Sequence, residues 1–117
     1  MEILGIYLVD FGKNIGREIS GKRYAVVISE PSKKDGTFLV APLISKKSGV
    51  KYKGGITIEM KDYLQNPEYE KSFIKIRKLR EIDKIRIKGK KRFSLNEKDT
   101  GKLIKSIKNV IPFLDKE

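Results

Sequence analysis

The stretch GREISGKRYAVVIS, Gly16–Ser29, sets two glycines, Glu18 and the cations Arg17, Lys22 and Arg23 directly before an apolar run. A plain turn asks only for a residue tolerant of unusual backbone angles, and has no use for an arginine pressed against a core. The planar fork of arginine donates to two phosphate oxygens at once, so a phosphoryl group is the ligand such a residue suits. The remaining inventory narrows the chemistry. The chain has no histidine and no cysteine, which removes the commonest general base, the thiolate nucleophile and every cysteine metal site. It has no GxxxxGK[ST] phosphate loop and no EF-hand. Asp62, Glu68 and Glu70, in KDYLQNPEYEK, read as solubilising loop charge rather than as a two-metal carboxylate site, so neither a metal nor a cofactor is expected. One reaction proceeds with this limited kit: cleavage of RNA by its own 2′-hydroxyl. The substrate brings the nucleophile, and the protein orients it, moves protons and stabilises charge on the phosphorus oxygens.

Charge points to the same partner. Lys and Arg number 27 against 15 acids, a net of +12. Residues 1–32 are neutral, whereas residues 71–93, KSFIKIRKLREIDKIRIKGKKRF, carry eleven basic and two acidic side chains. A concentrated basic block suits a polyanion, because each neutralised phosphate releases counterions; the competing reading is a solvated lysine-rich face. The 117 residues are expected to form one domain, 1–117. No apolar run approaches the roughly 18 residues of a membrane span, and MEILGIYLVDFGK has no basic leader. A cytoplasmic protein without membrane contact is expected, and the lack of cysteine fits a reducing compartment.

The elements that must position these residues are mostly strands. ILGIYLVDF (Ile3–Phe11) is apolar and β-branched, while RYAVVIS (Arg23–Ser29) and TFLVAPLI (Thr37–Ile44) are continuous apolar runs. GGITIEM (Gly54–Met60) alternates. SFIKIRKL (Ser72–Leu79) alternates after Phe73, which predicts Ile74 and Ile76 on one face and Lys75 and Arg77 on the other. REIDKIRI (Arg80–Ile87) reads as a connection with a helical turn. A helix should follow, opened by a capping box of Ser94 and Glu97. Its apolar stripe would be Leu103, Ile104, Ile107, Val110, Ile111 and Leu114, with Pro112 ending or kinking it. The fold class is therefore α+β and mainly β: a small, strongly curved antiparallel sheet or barrel packed on a C-terminal helix.

IYLVDFGKNIGREISGKRYAVVIS resembles the N-terminal signature of the MazF/PemK family of toxin endoribonucleases, in which a strand ending DF leads through a Gly-x-Glu loop to Gly-x-Arg-Pro and an apolar strand. TFLVAPLIS is similar to that family's APLTS strand, and IRKLREIDKIRI to its QIRTIDKxRI element, matching at Arg80, Asp83, Lys84 and Arg86. The three blocks stand in the family's order and span most of the chain. The resemblance implies an SH3-like barrel with a C-terminal helix, a homodimer, and a metal-independent ribonuclease that cuts single-stranded mRNA at short sequences. It also implies a cognate antitoxin that folds across the RNA-binding face.

Carried over by position, the resemblance assigns Arg23 to transition-state stabilisation and Glu18 to proton acceptance or to orienting Arg23. Lys22, Lys75, Arg77, Lys78 and Arg80 become the expected RNA-binding cations. Gly16 and Gly21 are expected to supply positive φ or close backbone approach. Tyr7 and Phe11 are candidates for base stacking or for the core. The family's threonine after APL is Ile44 here. Ser45 keeps a hydroxyl one residue on, but alternation turns it to the opposite face unless a bulge or strand end re-aims it. Tyr24 replaces the proline after the arginine, and Lys78 replaces the glutamine. These departures favour, as the alternative to a nuclease, a weak or inactive member that binds RNA or its antitoxin without cutting. A gyrase-inhibiting toxin of the CcdB kind shares the architecture, but the Gly-x-Glu/Arg block argues against it.

Overall fold

The computed structural model describes residues 1–111. Seven strands, β1 (Gly5–Asp10), β2 (Lys22–Val27), β3 (Phe38–Ser45), β4 (Gly55–Glu59), β5 (Lys71–Lys75), β6 (Arg80–Ile82) and β7 (Ile87–Ser94), precede one helix, α1 (Glu97–Val110). Every pairing is antiparallel, in the order β4-β5-β3-β2-β1-β7, with β6 added to β3. The architecture is thus mainly β with a C-terminal helix, as the strand runs predict, and it suits a barrel-like closure. No helix among the described residues is long and apolar enough to cross a membrane.

Strand β3 is the corner of the sheet. One edge pairs with β2 at Val40–Pro42, while the other is shared: Phe38–Val40 pair with β6 and Leu43–Ser45 with β5. A 3-10 turn at Ile76–Lys78 carries the chain from β5 to β6 along that edge. Pro42 falls in the gap between them. Ile28 N donates to Leu39 O at 2.8 Å, so odd-numbered residues of β3 bond toward β2, and the missing N–H of Pro42 faces the gap. Both faces are buried at Ala25–Val27 of β2 and Val40–Leu43 of β3, which explains their continuous apolar runs. Ile6, Val26, Ala41, Leu43 and Ile74 pack with Leu103 of α1, and Tyr7, Val9, Phe11, Ala25, Val27 and Val40 form a second cluster across the sheet from the helix. Tyr7 and Phe11 are therefore core residues, not exposed stacking platforms.

Four expectations need correction, and strand β7 was not expected. Strand β5 stops at Lys75, so the 3-10 turn removes Arg77 from the alternation that would pair it with Lys75. Arg80–Ile87 holds strand β6 as well as the predicted helical turn, at Lys84–Arg86. The lysine-rich IKGKKRFS is strand β7, although it buries almost nothing, because it satisfies the free edge of β1. The N-cap is Asn96, whose side chain accepts from Asp99 N at 2.8 Å, because Ser94 is spent pairing with Gly5. Leu103 is buried while Ile104 is 52% exposed, so the stripe is narrower than its spacing suggests. Pro112 and Leu114 lie outside the described residues.

The helix start is held by a polar knot. The Tyr63 hydroxyl donates to the Asp99 carboxylate, which is 2% exposed, and accepts from Asn96 N at 3.2 Å. The Tyr63 ring stacks on Phe93 with centroids 4.6 Å apart. Burial first, and then the bond to Asp99, push the Tyr63 hydroxyl well above the ordinary tyrosine range.

Candidate active site

The loop between β1 and β2 is built to hold a shape. Phe11 N donates to Gly21 O at 2.9 Å and Gly21 N to Gly12 O at 2.8 Å, closing its base. The Asn14 amide donates to Phe11 O and Ile19 O across the interior. Gly16 and Gly21 have φ of 58° and 74° with nothing within 4 Å of a Cβ, so they serve the left-handed backbone rather than a close approach. This frame presents Glu18, exposed, to a cleft of about 440 Å³ shared with Arg77, Lys78 and Arg80. Lys78 Nζ donates to Arg17 O at 3.0 Å, tying the loop to the 3-10 turn. Arg80 lies 5.6 Å from the centroid of buried Phe11. Arg77 packs its stem on Gly54, where a Cβ would stand 2.4 Å from Arg77 Cγ and Cδ, and its N–H donates to Gly54 O at 3.0 Å.

Register places the other candidates. Arg23 is exposed at the start of β2, opposite Val9, with Nε donating to Ser20 O at 3.1 Å. Continuing the β2–β3 register, in which Ala25 faces Pro42, sets Arg23 opposite Ile44. Ile44 faces Phe73, and Phe73 faces Thr57. Val9, Arg23, Ile44, Phe73 and Thr57 thus form one row across five strands, on one face. Lys75, two residues beyond Phe73, shares that face, as does Arg80, which pairs with Val40 in the Ile44 set.

Ser45 and Lys22 are not brought to this row. Ser45 stays in unbroken register with Ser72, so no bulge re-aims it. Its side chain belongs with Leu43 and Tyr24 on the reverse face, where it lines a recess with Arg92. Lys22, beside Asp10, alternates to that same reverse face.

Three residues extend the Arg23 face beyond the sequence reading. Lys46 Nζ donates to Thr57 Oγ1 at 2.8 Å and lies 5.8 Å from the Tyr52 ring centroid, and that ring sits 5.2 Å from Phe73. The alternation of GGITIEM already turns Thr57 away from Ile56 and Ile58, but only the pairing of β4, β5 and β3 puts it in line with Ile44. The face can therefore offer a phosphodiester one exposed guanidinium, further cations at Lys75 and Arg80, and an acceptor in Glu18 on the neighbouring loop. The place between Arg23 and Phe73 holds an apolar side chain.

No curated protein matches the chain in sequence. The model of the PemK-like, MazF-like toxin of type II toxin–antitoxin systems matches residues 4–111, from the turn before β1 to the end of α1. That span takes in the glycine loop, the Arg23 row and both faces of the sheet. With nearly its whole length matched, the chain belongs to the PemK-like, MazF-like family of toxins of type II toxin–antitoxin systems.

Proposed function

We propose that this toxin is a metal-independent endoribonuclease acting on single-stranded mRNA, a one-domain cytoplasmic protein working as a homodimer and silenced by an antitoxin laid across the same face. The observation that carries the reading is the exposed Arg23 standing in one row with Ile44 and Phe73, flanked by Lys75 and Arg80. The 2′-hydroxyl attacks the adjacent phosphorus, the bond to the 5′-oxygen breaks, and the products end in a 2′,3′-cyclic phosphate and a 5′-hydroxyl. Arg23 donates to both non-bridging oxygens, where charge builds. Glu18 accepts the 2′-hydroxyl proton, the departing 5′-oxygen takes its proton from water, and Lys75, Arg77, Lys78 and Arg80 hold flanking phosphates. Ser45, on the reverse face, takes no part in this step.

The test is purified protein with a long single-stranded RNA in EDTA, beside Arg23→Ala, with mapping of 5′ ends. Discrete cuts bearing 5′-hydroxyls, lost in Arg23→Ala, support the reading. The second reading, a binder without cutting, is favoured by Ile44 alone. It predicts salt-sensitive RNA binding with no cuts in the same experiment.

A further inference from the structure

The basic block of residues 71–93 does not go to one place. Lys75 and Arg80 share the Arg23 face and Arg77, Lys78 and Arg80 line the cleft with Glu18, whereas β7 carries Lys88, Lys90, Lys91 and Arg92 along the edge of the sheet. The β7–β1 register slips between the Leu8–Lys88 and Ile6–Phe93 pairs, and Gly89 takes a φ of 92°. Such a slip throws side chains out of strict alternation. Lys91 is committed to Glu2 at 2.6 Å. Arg92 instead lies over the Tyr24 ring, 4.3 Å from its centroid, and makes no ion pair among the described residues.

Tyr24 and Arg92 line a recess of about 180 Å³ together with Glu68 and Tyr69 of the β4–β5 connection and the hydroxyls of Ser45 and Ser72. Cavities of roughly 150 Å³ admit a benzene ring, and this recess is open to solvent on one side, so it seats one planar base with part of its ring system outside. Its lining is mixed in the way a flat heteroaromatic ring requires: apolar surface from Leu43 and Met60, two tyrosine rings, hydroxyls, one guanidinium and one carboxylate. Tyr69 is 51% exposed, an aromatic that serves no core. Interleaved aromatics and cations are what single-strand binders offer to unpaired bases. The recess also borders the Arg23 row, since Ile44 belongs to the row and lines the recess. Arg23 adjoins Tyr24 and Ile44 adjoins Ser45, so a nucleic acid crossing the ends of β2 and β3 meets both. Tyr24 and Ile44, two positions where this chain departs from the family pattern, both line it.

We propose that this recess is a specificity subsite that takes one unpaired base of the RNA, stacked on the tyrosine rings, with Arg92 and Lys22 at the neighbouring phosphate. Guanine is the base that fits. Glu68 offers only acceptors, guanine presents N1–H and N2–H₂ side by side, and uracil would set carbonyl oxygens against the carboxylate. The proposal rests on the RNA reading above but requires no cleavage.

The experiment measures affinities of 2′-O-methyl hexanucleotides, which cannot be cut, at fixed salt: one all-uridine, one with a single guanosine. The protein is the full chain with Tyr24→Ala, Tyr24→Phe or Glu68→Gln. The wild type should bind the guanosine oligomer about tenfold tighter, and Tyr24→Ala should lose about tenfold on both while Tyr24→Phe retains them. Glu68→Gln, at an exposed loop position that leaves the fold untouched, should erase the guanosine preference and keep the uridine affinity. Wild-type affinities in both Tyr24→Ala and Glu68→Gln would overturn the subsite. So would a change in oligomeric mass without a change in RNA affinity, since a side chain of a second copy would then fill the recess. Guanosine preference in a protein that cuts nothing supports the subsite and removes the nuclease reading; cutting with no preference does the reverse.

Discussion

The row across the sheet makes Ile44→Thr the sharpest test of how the toxin would stabilise its transition state. Adjacent strands lie about 4.8 Å apart, and side chains directly opposite have Cβ atoms roughly 4.5–5.5 Å apart. A hydroxyl at position 44 would therefore stand beside Arg23 and reach the same phosphate as the guanidinium. The stability cost is small. Ile→Val costs about 0.5–1.5 kcal/mol in a full core, and Ile44 is only half-buried, so a loss below about 1 kcal/mol is expected. Threonine and valine have the same shape, so the Thr-to-Val comparison isolates the hydroxyl. A donor aimed at developing charge is worth roughly 10²–10³ in rate inside a closed site. Water competes at this half-exposed position, so Ile44→Thr should cut about 10- to 100-fold faster than Ile44→Val. Single-turnover cleavage of a labelled RNA in EDTA reads this directly, and the gain should vanish when Arg23→Ala is added. Thr and Val variants cutting at equal rates, while Arg23→Ala abolishes cutting, would refute the placement of position 44 beside the reacting phosphate.

Arg23→Ala should lower cleavage by at least about 100-fold yet leave the melting temperature within about 2 °C, because the side chain is exposed and its bond to Ser20 O faces solvent. Arg23→Lys should recover only part of the rate, since an ammonium cannot form the two-pronged contact. Gly54→Ala meets both a left-handed φ of 78° and the Arg77 stem, so it should cost about 1–2 kcal/mol and lower the melting temperature by several degrees. Tyr63→Phe deprives the buried Asp99 of a donor and Asn96 N of its acceptor, a loss of about 1–3 kcal/mol in denaturant melts. Tyr63 also gives a pH signature: the unfolded tyrosine ionises near 10.0 while the folded one keeps its proton. Its contribution is whole below that pH and is lost as pH rises above it, so the alkaline decline of the melting temperature should flatten in Tyr63→Phe.

The strands that carry the site were legible because their burial is simple. Both faces are covered at Ala25–Val27 and at Val40–Leu43, so these stretches read as unbroken apolar runs, and GGITIEM alternates because only one of its faces meets the core. Strand β7 was not legible, since IKGKKRFS is a strand for the sake of β1's hydrogen bonds and not for its own side chains. The break after Lys75 was hidden for a similar reason. Nothing local in FIKIRKL demands a turn; it follows from two strands sharing one edge of β3. Ser94 and Asn96 are both good caps, and the choice fell to the one not already paired in β7. At the site, the reversed orientation of Ser45 was readable from alternation, whereas Arg23 and Glu18 were singled out by the family resemblance and not by spacing. The contribution of Lys46, Tyr52 and Thr57 was not, because it depends on which strand lies beside which.

That division of charge between two faces has a measurable consequence. Log affinity for single strands falls with log salt at about −0.7 per phosphate contacted. If RNA follows only the Arg23 row and the adjoining cleft, contacts at Arg23, Lys75, Arg77, Lys78 and Arg80 predict a slope of about −3.5 between 50 and 200 mM salt. If it also turns over the strand ends to the recess, Arg92 and Lys22 steepen the slope to about −5. Removing one contacting cation, as in Arg23→Ala or Arg92→Ala, should flatten the slope by about 0.7, whereas losing an aromatic such as Tyr24 should lower affinity at every salt concentration and leave the slope unchanged. Fluorescence anisotropy on an uncuttable oligonucleotide separates these terms. A slope near −1, indifferent to both arginine variants, would mean that the basic block is a solvated face and that neither surface holds RNA.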